Sequence, residues 1–178
     1  MTTLLGISGS LRKASTNTKL MRQAAEVFAP EDFIEADLNL PLYNGDLEEA
    51  EGIPQSVQTL ADQIAAADVV VIATPEYNKA PPGVLKNALD WVSRTKGNPW
   101  KNKPVAIMSA AAGRAGGERS QFALRLMMTA FRPDIIQGPE MFVANSGGAF
   151  DDEGKLTDDF TLKLLTELMD DLKARIRT

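Results

Sequence analysis

The heptapeptide Asp68-Val69-Val70-Val71-Ile72-Ala73-Thr74 decides the fold of this chain. Four β-branched residues in succession, closed on each side by a polar residue, are too few for a helix and suit a strand. The run is apolar at every position instead of alternate ones, so it predicts a strand covered on both faces, as in a parallel sheet. Its neighbours read as helices. Residues 56–66 carry a helical pattern with Ser56 as cap, and in residues 83–95 the positions Val84, Leu85, Ala88, Leu89, Trp91 and Val92 form a broad apolar arc.

The same alternation continues to both ends. Residues 3–8 (TLLGIS) read as a buried strand and 9–16 as a loop. In 17–28 Leu20, Met21, Ala24, Ala25 and Phe28 recur at helical spacing, and residues 33–38 alternate as a second strand. Residues 39–54 (NLPLYNGDLEEAEGIP) are turn formers and acids, predicting a long surface connection. Beyond the central strand come a fourth strand at 104–109 (PVAIMS), a helix at 117–131, a fifth strand at 135–145 interrupted by Gly138 and Pro139, and a last helix at 158–176. Repeated β-α units joined by right-handed crossovers predict a doubly wound parallel sheet with helices on both faces. The expectation is a single domain over residues 1–178, a three-layer α/β/α sandwich with five parallel strands in the flavodoxin-like order 2-1-3-4-5.

Composition narrows the chemistry. The 178 residues include no cysteine and no histidine, which excludes disulfides, thiolate nucleophiles, imidazole bases and metal sites built on either side chain. No metal site is expected. A net charge of -5 argues against nucleic acid as a partner. No apolar run approaches the length of a membrane span, and the first residues do not form a signal peptide; the protein is expected in the cytoplasm. Charge is unevenly placed: residues 31–76 hold eleven carboxylates and no Lys or Arg, whereas Arg12, Lys13, Lys19 and Arg22 precede the first acid, Glu26.

In doubly wound folds ligands bind beyond the carboxyl ends of the strands. The loops there are 8–18 (SGSLRKASTNT), 75–83 (PEYNKAPPG) and 109–117 (SAAAGRAGG); those after the second and fifth strands are acidic and ordinary by comparison. The first suits a phosphate: Gly9 allows a tight turn, Ser10 and Ser15 offer hydroxyls, Arg12 a fork of donors, and Asn17 or Thr18 a helix cap. A strand-to-helix turn with ordinary capping residues would read the same way. No Walker sequence is present, and Gly6-Ile7-Ser8-Gly9-Ser10-Leu11 does not complete a dinucleotide fingerprint, although Glu35 and Asp37 stand where a ribose-binding acid would fall. In the second loop Pro75, Glu76, Tyr77 and Asn78 combine an aromatic face with amide groups that suit a flat heterocycle; a turn of exposed polar residues is the plainer alternative. The glycines of the third loop allow close approach of backbone N–H groups.

Three segments together resemble the NADPH-dependent FMN reductase family of flavodoxin-like quinone and chromate reductases: Gly9-Ser10-Leu11-Arg12-x-x-Ser15-x-Asn17; Pro75-Glu76-Tyr77-Asn78 followed by Pro82-Gly83-Val84-Leu85-Lys86-Asn87-Ala88-Leu89-Asp90-Trp91; and the glycine loop from Gly113 to Gly117. The resemblance implies that Ser10, Arg12, Ser15, Asn17 and Thr18 hold the FMN phosphate. It implies that Pro75, Glu76, Tyr77 and Asn78 lie along the isoalloxazine, and that Ser109, Ala111 and Gly113 approach its pyrimidine side. The third loop departs from the usual Ser-x-Ser-Pro-Gly, reading Ser109-Ala110-Ala111-Ala112-Gly113, and Lys79 and Ala80 replace the commoner Gly or Arg and Ser. The implied activity is ping-pong: NADPH or NADH reduces FMN, and a small acceptor such as a quinone, azo compound, free flavin or chromate reoxidises it. No catalytic acid or base is then required of the protein. Two rivals are a flavodoxin-type electron carrier and a nucleotide-binding α/β domain without flavin. The family generally pairs subunits beside the ring, so a homodimer or homotetramer is expected, with the Trp91 and Trp100 region as the contact; completion of the monomer core by both tryptophans is the alternative.

Overall fold

The computed structural model describes residues 1–176. Strands β1 (Thr3–Ser8), β3 (Val69–Ala73) and β4 (Pro104–Ala110) form the middle of a wholly parallel sheet. Strand β2 (Asp32–Glu35) lies beyond β1, and β5 (Asp134–Ile135) beyond β4, giving the expected order β2-β1-β3-β4-β5. The chain is a flavodoxin-like α/β/α sandwich.

The heptapeptide explains the layers. Val69, Val71 and Ala73 face α1 (Thr16–Phe28) and α6 (Asp159–Lys173), packing in one core with Leu20, Met21, Phe28, Leu165 and Leu172. Val70 and Ile72 face the opposite way, into a second core with residues of α3 (Gln55–Ala66), α4 (Gly83–Val92) and α5 (Glu118–Met128). All five strand residues are fully buried. Each Val or Ile so buried contributes roughly 1.5–3 kcal/mol, which is why period-two alternation is absent from the run.

Several boundaries differ from expectation. β2 ends at Glu35, not Leu38, because the Asp37 side chain accepts from Asn39 N–H at 2.8 Å and turns the chain away from the sheet. The predicted connection over 39–54 contains a helix, α2 (Gly45–Glu51), capped by the Asn44 side chain, which accepts from Asp46 N–H at 3.0 Å. It buries no residue, so it lacks the apolar period by which helices are recognised. The fifth strand divides: β5 pairs with the start of β4, and β6 (Met141–Val143) with its end, while Gly138 and Pro139 lie in the unpaired gap. The cap of α1 is Ser15, not Asn17 or Thr18, and α3 follows Pro54 without use of Ser56.

The tryptophans belong to the monomer core, Trp91 wholly buried and Trp100 2% exposed. Residues 39–43 fold over α4: Trp91 Nε1 and Asn87 Nδ2 donate to Pro41 O at 2.7 and 2.9 Å, and Tyr43 N–H donates to Asn87 Oδ1 at 2.9 Å. The Trp91 edge of the apolar arc is thus covered by this chain's own connection. Among the described residues no helix is long and apolar enough to cross a membrane, and no cluster of His, Cys, Asp and Glu could hold a metal ion.

Candidate functional site

The strand order sets the carboxyl ends of β1, β3 and β4 side by side. A cleft of about 250 Å³ opens there, with Ser10, Arg12, Ser15, Thr16 and Asn17 from the first loop and the head of α1. Pro75, Glu76 and Tyr77 line it from the second loop; Ala110, Ala111 and Ala112 from the third; and Ser146 from the segment after β6. A larger cavity of about 530 Å³ lies between the carboxyl ends of α4 and α5, against Leu89, Trp100 and Phe131. That end is opposite the strand termini where such sheets bind ligands.

The first loop is turned on itself by short bonds. Ser10 Oγ accepts from Arg12 N–H at 3.3 Å, and Ser15 N–H donates to Arg12 O at 3.1 Å. Gly9 is required for close approach: an added Cβ would lie 3.1 Å from Pro75 Cδ and 3.2 Å from Pro82 Cγ, so the first and second loops touch here. The first N–H groups of a helix lack intrahelical acceptors. At α1, Thr18 N–H donates to Ser15 Oγ at 3.3 Å, whereas the N–H groups of Thr16 and Asn17, both lining the cleft, have no acceptor among the described residues. Arg12 is exposed and enters no ion pair among the described residues. Free helix N–H groups beside an unpaired guanidinium form an anion site.

Side chains of two expected phosphate ligands are engaged elsewhere. Asn17 is 2% exposed; its Nδ2 donates to Ala110 O at 2.8 Å and its Oδ1 accepts from Ala110 N–H at 2.9 Å. The amide therefore clasps α1 to β4, and Asn17 offers the cleft its backbone N–H. Thr18 lies outside the cleft, its Oγ1 2.8 Å from Ser8 Oγ.

In the second loop Tyr77, 52% exposed, offers its ring to the cleft. Tyr77 N–H donates to Ala80 O at 3.0 Å and Ala80 N–H to Tyr77 O at 3.1 Å, closing a two-residue turn over Asn78 (φ 51°) and Lys79 (φ 67°). Both central residues are left-handed, as in a type I′ turn, which accounts for asparagine at 78. Asn78 does not line the cleft. Glu76 is anchored at the head of α5, where Arg119 N–H donates to Oε2 at 3.2 Å and the Arg119 guanidinium stands 3.6 Å from Oε1.

In the third loop Ala111 lines the cleft, but its N–H donates to Val143 O at 3.0 Å. Ser109 is wholly buried behind it, donating to Gly116 O at 2.6 Å and accepting from Gln121 Nε2 at 2.8 Å. Gly113 is exposed and outside the cleft. The cleft also holds Thr16, Ala110, Ala112 and Ser146, which the sequence did not single out. Ser146 follows the last strand, so that segment is not ordinary: Thr16 Oγ1 donates to Ser146 Oγ at 3.4 Å. The run Asn145-Ser146-Gly147-Gly148 shares the small and hydroxyl residues of the other loops, and this was the one local signal available.

Helix N–H groups and Arg12 on one side, the Tyr77 ring on another and the 110–112 segment as a third wall define the class: a doubly wound α/β protein with its cleft at the carboxyl ends of the central strands. Residues 2–148 match the family described as NADPH-dependent FMN reductase. The chain is 41% identical over 176 residues to an NAD(P)H-dependent FMN reductase of Pseudomonas aeruginosa, covering 98% of this chain and 95% of that one. To a quinone reductase of Escherichia coli it is 39% identical over 163 residues, 89% of this chain and 86% of that one. Its fold superposes on the flavoenzyme NAD(P)H:(acceptor) oxidoreductase of Paracoccus denitrificans with a TM-score of 0.88 at 35% identity, over 99% and 97% of the two chains. The chain belongs to the NADPH-dependent FMN reductase family, FMN-binding oxidoreductases that use NAD(P)H.

Proposed function

We propose that this protein reduces a small acceptor, such as a quinone, free flavin, azo compound or chromate, at the expense of NADPH or NADH, with FMN resident in the cleft between the three loops. The observation that carries this is the junction of the unpaired Arg12 and the free N–H groups of Thr16 and Asn17 with the exposed ring of Tyr77 in one cleft. A phosphate and a flat ring fit those two ends. Ser10, Arg12 and Ser15 join the helix N–H groups at the phosphate, and Thr18 steadies Ser8 behind them. Pro75, Glu76 and Tyr77 flank the ring, with Asn78 shaping the turn that presents Tyr77. Ala111 forms the far wall, backed by Ser109, with Gly113 beyond the cleft in the same loop. FMN supplies hydride acceptance and electron delivery in two separate half-reactions; the chain binds, orients and excludes, with no residue assigned as acid or base.

The purified protein is expected to be yellow, to release FMN on denaturation, and to oxidise NADPH steadily with a quinone. A colourless protein that takes up no FMN would overturn the proposal, and one that binds FMN without oxidising NADPH would be an electron carrier. Arg12→Ala is expected to weaken FMN by roughly 1.5–3 kcal/mol, the range for a charged hydrogen bond, about 10- to 150-fold in Kd. Arg12 has no ion-pair partner among the described residues, so the melting temperature of the flavin-free protein should stay unchanged. A flavin titration and a thermal scan check both. A homodimer or homotetramer is also proposed, supported by Phe122 and Leu126, 48% and 72% exposed and one turn apart on α5; size-exclusion chromatography at several concentrations tests it.

A further inference from the structure

Behind the second loop two hydroxyls converge on one backbone carbonyl. Ser120 Oγ donates to Pro75 O at 2.9 Å, Thr74 Oγ1 donates to the same oxygen at 3.1 Å, and the two hydroxyls are 2.9 Å apart. Thr74 and Ser120 both have zero exposure. Three oxygens share two protons, so every arrangement leaves at least one hydroxyl donating to Pro75 O or to the hydroxyl that does. Neither side chain reaches the cleft. Neither is needed to cap a helix, since α5 starts at Glu118 after Gly117.

The consequence lies in the peptide plane. The Pro75–Glu76 bond is trans, and in a planar trans peptide the C=O and N–H point in opposite directions. Drawing Pro75 O toward α5 therefore turns the Glu76 N–H away from α5. That N–H has no acceptor within the described residues, and Glu76 lines the cleft. The Glu76 carboxylate, fixed by Arg119 N–H at 3.2 Å, holds the next atoms of the loop to the same helix.

We propose that Thr74 and Ser120 are positioning residues: their buried hydroxyl pair locks the Pro75–Glu76 peptide so that the Glu76 N–H is aimed as a fixed donor at the cofactor ring. The inference rests on the proposed placement of FMN in this cleft. A fixed N–H dipole favours the electron-rich, reduced ring over the oxidised one. Loss of its aim should lower the reduction potential while phosphate contacts at the first loop persist.

The test compares wild type with Ser120→Ala, Thr74→Val and the conservative Thr74→Ser, each loaded with FMN. Ser120→Ala and Thr74→Val are expected to reduce the preference for reduced over oxidised FMN by three- to tenfold, about 15–30 mV more negative for a two-electron couple, with Kd for oxidised FMN changed less than threefold. Thr74→Ser should keep the wild-type potential. Potentials equal to wild type in both hydroxyl-deleted variants would overturn the positioning role, as would an equal loss of oxidised and reduced FMN affinity. Should Ser120→Ala fail to fold, Ser120→Cys keeps the volume and weakens the donor: an intermediate shift supports the proposal and a wild-type potential refutes it. If wild type itself takes up no FMN, the cofactor placement has failed instead, and the two failures are distinguished.

Discussion

Replacing Asn17 with alanine is expected to lower folding stability by about 2–5 kcal/mol and to loosen FMN together with it. The Asn17 amide satisfies both backbone groups of Ala110 in a buried setting. Removing it leaves an N–H and a C=O without partners, each costing about 1–3 kcal/mol. The site suffers through the same loss, because this clasp ties the head of α1 to the end of β4 and so sets the distance between anion cradle and third wall. Asn17→Asp is the sharper probe: Oδ1 still accepts from Ala110 N–H, but the donor to Ala110 O is replaced by an acceptor, and a negative charge enters beside the anion site. It should bind FMN more weakly than Asn17→Ala. Urea midpoints and flavin titrations on both variants check this, and an unaltered midpoint for Asn17→Ala would refute the clasp.

Gly116→Ala should destabilise the fold by a similar amount, about 2–5 kcal/mol, for two additive reasons. Gly116 has φ 61°, a left-handed conformation that costs a residue with a Cβ roughly 1–2 kcal/mol. That Cβ would also lie 2.8 Å from Phe142 Cβ, 2.9 Å from Phe142 C and 3.1 Å from Phe142 O. The opposing atoms include the backbone of β6, which is fixed by pairing with β4, and overpacking of this kind costs about 1–3 kcal/mol. Gly113→Ala, three residues earlier in the same loop, meets nothing within 4 Å and should stay within about 0.5 kcal/mol of wild type. Chemical denaturation of the pair decides the matter; equal stabilities would remove Gly116 from the packing account.

Residues 68–74 show why the layers were legible: burial on both faces is written as an unbroken apolar run, and the run needs no distant partner to be recognised. The same holds for α1 and α6, whose apolar stripes repeat at helical spacing. Helix α2 was not legible because it buries nothing, and β2 was read too long because Leu38, buried at 2% exposure, extends the alternation past the Asp37 turn. The broad arc of α4 was visible, but what covers it was not. Pro41 lies 50 residues before Trp91, and no local pattern announces that a surface connection will fold back over a helix.

At the candidate site, the sequence alone pointed to three loops, 8–18, 75–83 and 109–117, and to what they carry; β-α alternation requires parallel strands with right-handed crossovers, and the flavodoxin-like order 2-1-3-4-5 sets those three loops on one rim. The tertiary structure decided which of their groups are free to bind. Asn17, Thr18 and Ser109 have polar side chains that look available in a loop, yet Ala110, Ser8, Gly116 and Gln121 already engage them. Ser146 joins the cleft through a contact 130 residues distant from Thr16. Hydrophobic periodicity is a local property, repeated within each element, whereas the satisfaction of a buried polar group depends on partners that only the folded chain brings within hydrogen-bond reach.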